Sequence, residues 1–372
     1  MPPRIAVVAA SLDILGGQGI QARALGGHLA DDGYDVTFVP VNPRFPAPLQ
    51  WVLRYPGIRT AVNESLYAPS LVRLRHADVV HVFSASYWSF LLGPLPAILA
   101  ARAFGKRVIL NYHSGEADDH LTRWGALIHP WLRLAHEIVV PSEYLRQVFA
   151  GHGYQAQVIQ NVIDTSLFSY RERDPLGPHL LSSRNLERHY GVDVILRAFA
   201  LIKKVYPHAT LTIAGSGTQE AALRELTGFL GVGGVSFVGR QTPPAMAALY
   251  DRAHIFVNAS TIDNQPVSVL EAFASGLPIA TTPTGDIVNM VSAGDTGLLV
   301  PPNDPTALAA AVTELLEHPE WARSMARRAR RQVERYTWPR VREAWARSYA
   351  PGIGGWHTAP SSPIETNRVE RA

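Results

Sequence analysis

Residues 255–281 read IFVNASTIDNQPVSVLEAFASGLPIAT. An apolar run ends on Asn258, a polar loop follows, Pro266 opens an apolar helix, Gly276 stops it, and a second apolar run begins at 278. Proline suits the first helical turn, where no N–H is needed, and glycine suits the left-handed exit. Two near-continuous apolar runs around one helix form a βαβ unit of a parallel sheet buried on both faces.

The same grammar repeats outward. Strand candidates at 5–10, 36–39, 79–83, 108–112, 138–140 and 157–160 fill the first half. Candidates at 179–182, 210–214, 235–238, 255–258, 278–281 and 298–300 fill the second. Helical patterns occupy most gaps, so the fold class is α/β with parallel sheets covered on both sides. Segment 165–178 (TSLFSYRERDPLGP) carries charges, two prolines and a glycine, a linker signal that divides the chain. The expected organisation is an N-terminal domain over 1–165, a second domain over 179–336, a crossing helix over 337–350 and a tail over 351–372. The tail's Pro, Gly and Ser content predicts disorder. Two doubly wound domains facing each other leave a cleft outside the carboxyl ends of their strands, where such sheets bind ligands.

Composition narrows the function. The chain has 372 residues, 47% hydrophobic and 17% charged, and no cysteine. Two cored domains are affordable, while disulfides, thiolate metal sites and cysteine nucleophiles are excluded. The net charge of +3 conceals a run at 323–347 with nine Arg against Glu334 and Glu343. Nucleic-acid binding would want a basic face with interleaved aromatics, so no nucleic-acid partner is expected. The opening residues lack a signal-peptide pattern. Residues 79–101 carry no Asp, Glu, Lys or Arg, but two prolines and a polar break make them a buried strand and helix rather than a membrane span.

Several residues can carry chemistry. Gly16, Gly17 and Gly19 lie between the first strand and its helix, where backbone amides can approach a phosphate. Their spacing is not the dinucleotide fingerprint, and no acid ends the second strand. Gly215 opens another glycine turn after the strand at 210–214, and Arg184 follows the strand at 179–182, placed to meet a diphosphate. In the opening stretch, Asp263 can accept sugar hydroxyls, the Asn264–Val267 amides crown a helix N-terminus, and Glu271 lies just over one turn inside the helix. Read alone, each has a plainer account as a turn, a cap or a surface charge.

Taken in order, these pieces resemble the retaining glycosyltransferases of family 4. Asp263 and Glu271 stand eight apart and are followed by ASGLP, as in that family's hallmark of an acid, seven residues, Glu and then A-x-G-x-P. GGQG, NYHSGE with His113, VIQNVIDTSLF, SSRN with Arg184, AGSG and YTWPRVREAW match its other motifs in sequence order, over about residues 4–349. The resemblance implies a GT-B fold, two Rossmann-like doubly wound domains across a cleft. It implies transfer from a nucleotide-diphosphate sugar, with retention, to a glycan, lipid-linked or small-molecule acceptor. Glu271 would hold the ribose; Asp263 with Asn264, Gln265, Pro266 and Val267 would hold the donor sugar. Arg184, Gly16, Gly17 and Gly215 would surround the diphosphate, and His113 would sit near the transferred sugar. Asp263, Arg184 and His113 would form the catalytic set, and the departing phosphate would take the acceptor proton.

Two positions depart from the pattern: the first acid is Asp263 where many members have Glu, and the usual Lys-Gly reads Tyr190-Gly191. Arg240 is a candidate replacement cation, with a surface role as the plainer reading. Glu116 and Asp118 are candidates for the acceptor side. No metal or cofactor is expected, and Asp118-Asp119 is read as a solvated helix start. His81 is read as packing. Basic and aromatic residues over 43–75 can meet an anionic membrane, with a solvated, irregular face as the plainer reading; the expected location is the cytoplasm, with peripheral contact at the membrane's inner face if the acceptor is lipid-linked. Two alternatives stay open: a non-catalytic sugar-nucleotide-binding relative, and a nicotinamide-dependent oxidoreductase or epimerase.

Overall fold

A computed structural model describes residues 2–11 and 17–350. Gly16 and the 351–372 tail lie outside the described residues. Strands β1 (Ile5–Ala9), β2 (Val36–Pro40), β3 (Val79–Ser84), β4 (Arg107–Tyr112), β5 (Glu137–Val140) and β6 (Gln157–Val158) form one sheet. Strands β7 (His179–Ser183), β8 (Thr210–Ala214), β9 (Val235–Gly239), β10 (Ile255–Asn258), β11 (Ile279–Thr281) and β12 (Leu298–Leu299) form the other. The spatial orders are β2-β1-β3-β4-β5-β6 and β12-β11-β10-β7-β8-β9. All pairings are parallel.

Strand periodicity explains the two-sided burial. Along β1, Ile5, Val7 and Ala9 enter one apolar cluster while Ala6 and Val8 enter another on the opposite face. In the second sheet Ile255 and Val257 pack to one side and Phe256 to the other. Each fully buried Val, Leu or Ile contributes roughly 1.5–3 kcal/mol, so every strand needs helices on both faces. The segment at 79–101 is accordingly β3 followed by helices Trp88–Leu92 and Pro94–Ala103. Among the described residues no helix is long and apolar enough to cross a membrane.

Helix Trp338–Tyr349 returns to the first sheet. Its Val341, Trp345 and Tyr349 complete the cluster containing Ile5, Val7 and Ile109. His81 is fully buried, bonded to the Tyr349 hydroxyl at 2.6 Å and stacked on Phe83, a packing role. The stretch read as a linker is a packed strap. Arg173 within it is 1% exposed and donates to the carbonyls of Tyr250, Ala253 and Ser275. It thereby serves carbonyls left over at the ends of helices Pro243–Arg252 and Val267–Ser275. The arginine run lies largely on helix Pro319–Val333, where Arg323, Arg327, Arg328 and Arg330 pair with Asp174, Glu172, Asp295 and Glu334.

Candidate active site

In each sheet the strand order reverses at one point, between β1 and β3 and between β7 and β10. Ligand crevices open outside the carboxyl ends of strands at such points. A cavity of about 600 Å³ lies there, walled by both domains: Gly17, His113 and Glu116 on one side, and Arg184, Gly215, Asp263 and Glu271 on the other.

Arg184 leaves β7 and is held from four directions. One Nη donates to Asp263 Oδ2 at 2.5 Å, and the other donates to Ser268 Oγ at 3.0 Å. The Tyr190 ring lies 4.3 Å from its guanidinium carbon, a cation–π contact. Gly215, at φ +146°, fixes the backbone beneath it: a Cβ there would stand 2.0 Å from the Arg184 carbonyl oxygen. The turn is tied further by Leu186 N to Ser216 O at 3.1 Å and Thr218 N to Glu187 Oε1 at 3.0 Å. Arg184 Nε is buried with no hydrogen-bond partner among the described residues, and Nε–H is one of the donors in a guanidinium fork.

Asp263 spends its carboxylate locally. Oδ2 takes Arg184 and Oδ1 accepts its own neighbour's amide, Asn264 N, at 3.0 Å. The Asp263 carbonyl is approached so closely that a Cβ on Gly115 would come within 2.8 Å and one on Gly285 within 2.2 Å. Helix Val267–Ser275 begins after Pro266 without a side-chain cap, and its first turn borders the cavity. Helix Gly17–Asp31 presents Gly17 and Gln18 to the same space. Two helix N-termini and the largely buried Arg184 therefore face one volume, an arrangement that favours a polyanion.

Glu271 is 9% exposed, and burial pushes its carboxyl up to about 7, opposed by a bond from the Tyr250 hydroxyl and by Arg184's charge. Tyr250, fully buried, also contacts Ser183 Oγ, and its hydroxyl lies 3.0 Å from the Ser268 carbonyl oxygen, a second acceptor for its one proton. Burial pushes His113 down to about 3, so its imidazole is neutral.

The side chains of Asn264 and Gln265 serve another purpose than sugar contact. Asn264 accepts from Ser142 and donates to the His113 carbonyl at 3.3 Å. Gln265 accepts from Asn161 N at 2.8 Å, and its carbonyl accepts from Asn161 Nδ2 at 3.1 Å. Tyr144 N reaches Asp286 across the same seam. These bonds clasp the two domains behind the cavity. Asp118 is not in the cleft: its side chain is 70% exposed and meets His152 at 3.2 Å. Glu116 is on the cleft wall. Tyr190 supplies a stacking face in place of a second cation, while Arg240 borders the cavity with Nε on Ser216 Oγ at 3.2 Å. Among the described residues no group of three or more His, Asp or Glu converges as a metal site.

Residues 171–332 match the family described as Glycosyl transferases group 1, and residues 15–167 match Glycosyltransferase Family 4. A glycogen synthase of Mycobacterium tuberculosis is 31% identical over 304 residues, 77% of this chain and 72% of its own length. The chain belongs to the group 1, family 4 glycosyltransferases. An N-acetyl-alpha-D-glucosaminyl L-malate synthase of Bacillus anthracis is 24% identical over 86% of this chain and 89% of that protein. The fold is GT-B, as in the structure of Anabaena HepE in complex with UDP-glucose, with TM-score 0.73 and 16% identity over 93% of this chain and 99% of that one. Sucrose-phosphate synthase from Thermosynechococcus elongatus superposes with TM-score 0.70 and 21% identity, over 93% and 98%. This chain is a glycosyltransferase, which sets the oxidoreductase reading aside.

The sequence did not single out Tyr250, Ser268, Ser142, Asn161 or Asp286. A tyrosine at a buried helical position reads as core, and the clasp joins residues about a hundred positions apart.

Proposed function

We propose that this glycosyltransferase is a retaining, metal-independent enzyme that binds a nucleoside diphosphate sugar between Arg184, Asp263 and Glu271. The observation that supports this reading is the convergence of those three side chains on one interdomain cavity. Breaking the glycosyl–phosphate bond puts negative charge on the diphosphate. Arg184, Arg240 and the N-termini at Gly17 and Val267 are fixed donors aimed at that charge. Glu271 accepts ribose hydroxyls, and the Asn264–Val267 backbone with Asp263 receives the sugar. Neutral His113 lies near the anomeric side. The acceptor enters from the N-terminal face, beside Glu116, and its proton leaves on the departing phosphate oxygen. No enzymatic base is required at the reacting centre.

Transfer from UDP-, GDP- and ADP-sugars, followed by NMR of the product's anomeric proton, tests the reading. An α-linked product from an α-linked donor, at a rate unchanged by EDTA, is expected. An inverted product or an EDTA-abolished rate refutes it.

A lipid-linked acceptor is favoured by one surface. Trp51, Leu53, Tyr55 and Ile58 are each at least half exposed, interleaved with exposed Arg54 and Arg59. Apolar side chains alternating with cations suit insertion at an anionic bilayer. Flotation with phosphatidylglycerol liposomes should carry the protein upward at low salt. The binding should weaken toward 1 M salt, where the screening length is about 3 Å. Equal recovery with neutral and anionic liposomes would remove the electrostatic part.

A further inference from the structure

Ile109, Asn111 and His113 alternate along β4 and its continuation, so their side chains turn to one face of the first sheet. His113 N donates to the Ser84 carbonyl at 3.0 Å, which carries the ladder past Tyr112. That face is apolar: Phe83, Ile109, Val139, Ile159 and Trp345 share one cluster on it. Asn111 is set among them, 3% exposed, with Oδ1 buried and unpartnered among the described residues. A leucine would fill such a place, and an amide there is costly unless something bonds it. Packing alone does not account for Asn111.

A second orphan lies beside it. His113 Nε2 is likewise buried and unpartnered among the described residues. Asn111 and His113 both line a chamber of about 10 Å³, walled also by Phe83, Ile159 and Trp345. His113, Gln21 and Asn161 border both this chamber and the donor cleft, so the chamber lies directly behind the cleft wall. Gln21 and Asn161 are committed elsewhere. The Gln21 amide bonds Val162 N and O, at 2.8 and 2.9 Å, and Asn161 Nδ2 donates to the Gln265 carbonyl.

One water satisfies both orphans. A buried water needs roughly 10–15 Å³ and two to four polar partners. Residues two apart along a strand have Cα atoms roughly 6.6 Å apart, and two hydrogen bonds of about 2.8 Å through a shared water cover most of that span. Neutral imidazole suits it in either tautomer, because water donates to a lone pair as readily as it accepts from an N–H. The Phe83 ring, 5.2 Å away between centroids and tilted by 34°, backs the imidazole but does not choose between its edges. A polar tie does. We propose that Asn111 is a positioning residue: through one buried water it holds His113 Nε2 and so fixes the rotation of the imidazole toward the sugar of the bound donor. This rests on the cleft being the donor site.

A crystal structure of the nucleotide-free protein, at a resolution that shows ordered water, should place one water within hydrogen-bond distance of both Asn111 Oδ1 and His113 Nε2. No water there overturns the proposal. Calorimetric titration with UDP-, GDP- and ADP-glucose, each against its nucleoside diphosphate, reads the consequence. Asn111→Leu, of similar volume, should bind the preferred sugar nucleotide about 2–10-fold more weakly, the usual contribution of one hydrogen bond, and its diphosphate as wild type does. In a His113→Ala background the same substitution should cause no further loss, because its effect travels through His113. No loss at all, equal losses for sugar nucleotide and diphosphate, or an undiminished loss in the His113→Ala background would place Asn111 in the packing alone. Failure of the donor reading looks different: the wild type would bind none of these nucleotides, with the water in place.

Discussion

Arg184→Ala should lower kcat by about 10²–10³-fold, the usual loss when one preorganised donor to a developing charge is removed. The guanidinium sits at the β7/β10 reversal with Asp263, Ser268 and Tyr190 fixing its plane. Arg184→Lys should not restore the rate. An ammonium cannot present two parallel donors, and it loses the planar face that stacks on Tyr190. Truncation also strands Asp263, whose side chain is 8% exposed. Removing one partner of a buried pair costs about 3–5 kcal/mol, so a fall in stability is expected alongside the fall in rate. The double variant Arg184→Ala/Asp263→Asn separates the two effects. Urea unfolding should show most of the stability regained, while turnover of the sugar nucleotide stays low. Recovery of turnover in the double variant would mean that Arg184 serves only to neutralise Asp263.

The fold was legible because its signal is local. Each strand is a short apolar run, and its neighbours are set by the alternation with helices. The observed strands β1 through β12 all fall on the runs read from sequence, and the clearest trims come at the edges. Residues 157–160 give β6 over Gln157–Val158, and 298–300 give β12 over Leu298–Leu299. Both are edge strands with one partner, so the ladder stops where that partner stops. The acids were half legible. Glu116 and Asp118 lie two residues apart at the start of helix Ala117–Arg123, and at 3.6 residues per turn that is more than half a rotation. One therefore faces the cleft and the other faces solvent. Tyr190 was read as a missing cation. Only its ring position over Arg184 shows what it does instead, and no sequence spacing encodes a cation–π contact between a β7 loop and the helical turn Arg188–Tyr190. The Asn264–Gln265 clasp was hidden for a similar reason, since its partners Ser142 and Asn161 come from the other domain.

Glu271→Gln should give opposite signs for stability and for function. The Glu271 carboxyl is raised from 4.5 to about 7, chiefly by burial, with Tyr250 and Arg184 limiting the rise. Between those two values the folded protein holds a proton that the unfolded chain has released. Stability therefore falls as pH rises through that window and stays lower above it. The displacement corresponds to roughly 3 kcal/mol at pH 8, a cost that a neutral glutamine of the same shape avoids. Urea unfolding should show Glu271→Gln more stable than wild type at pH 8 and little different at pH 5. Donor binding runs the other way. Two ribose hydroxyls need an acceptor, and the ionised carboxylate accepts both, whereas a glutamine offers one carbonyl oxygen and an amide that donates. Hydrogen bonds to a charged group contribute about 1.5–3 kcal/mol, so nucleotide affinity should fall by about 10–100-fold. In wild type that affinity should weaken as pH drops below about 7, because the carboxyl is then protonated, and Glu271→Gln should lack this dependence. Calorimetric titration with the nucleoside diphosphate across pH 5 to 8 reads both. A variant that loses stability at pH 8 while binding nucleotide as wild type does would place Glu271 in the structural framework of the helix and outside the donor site.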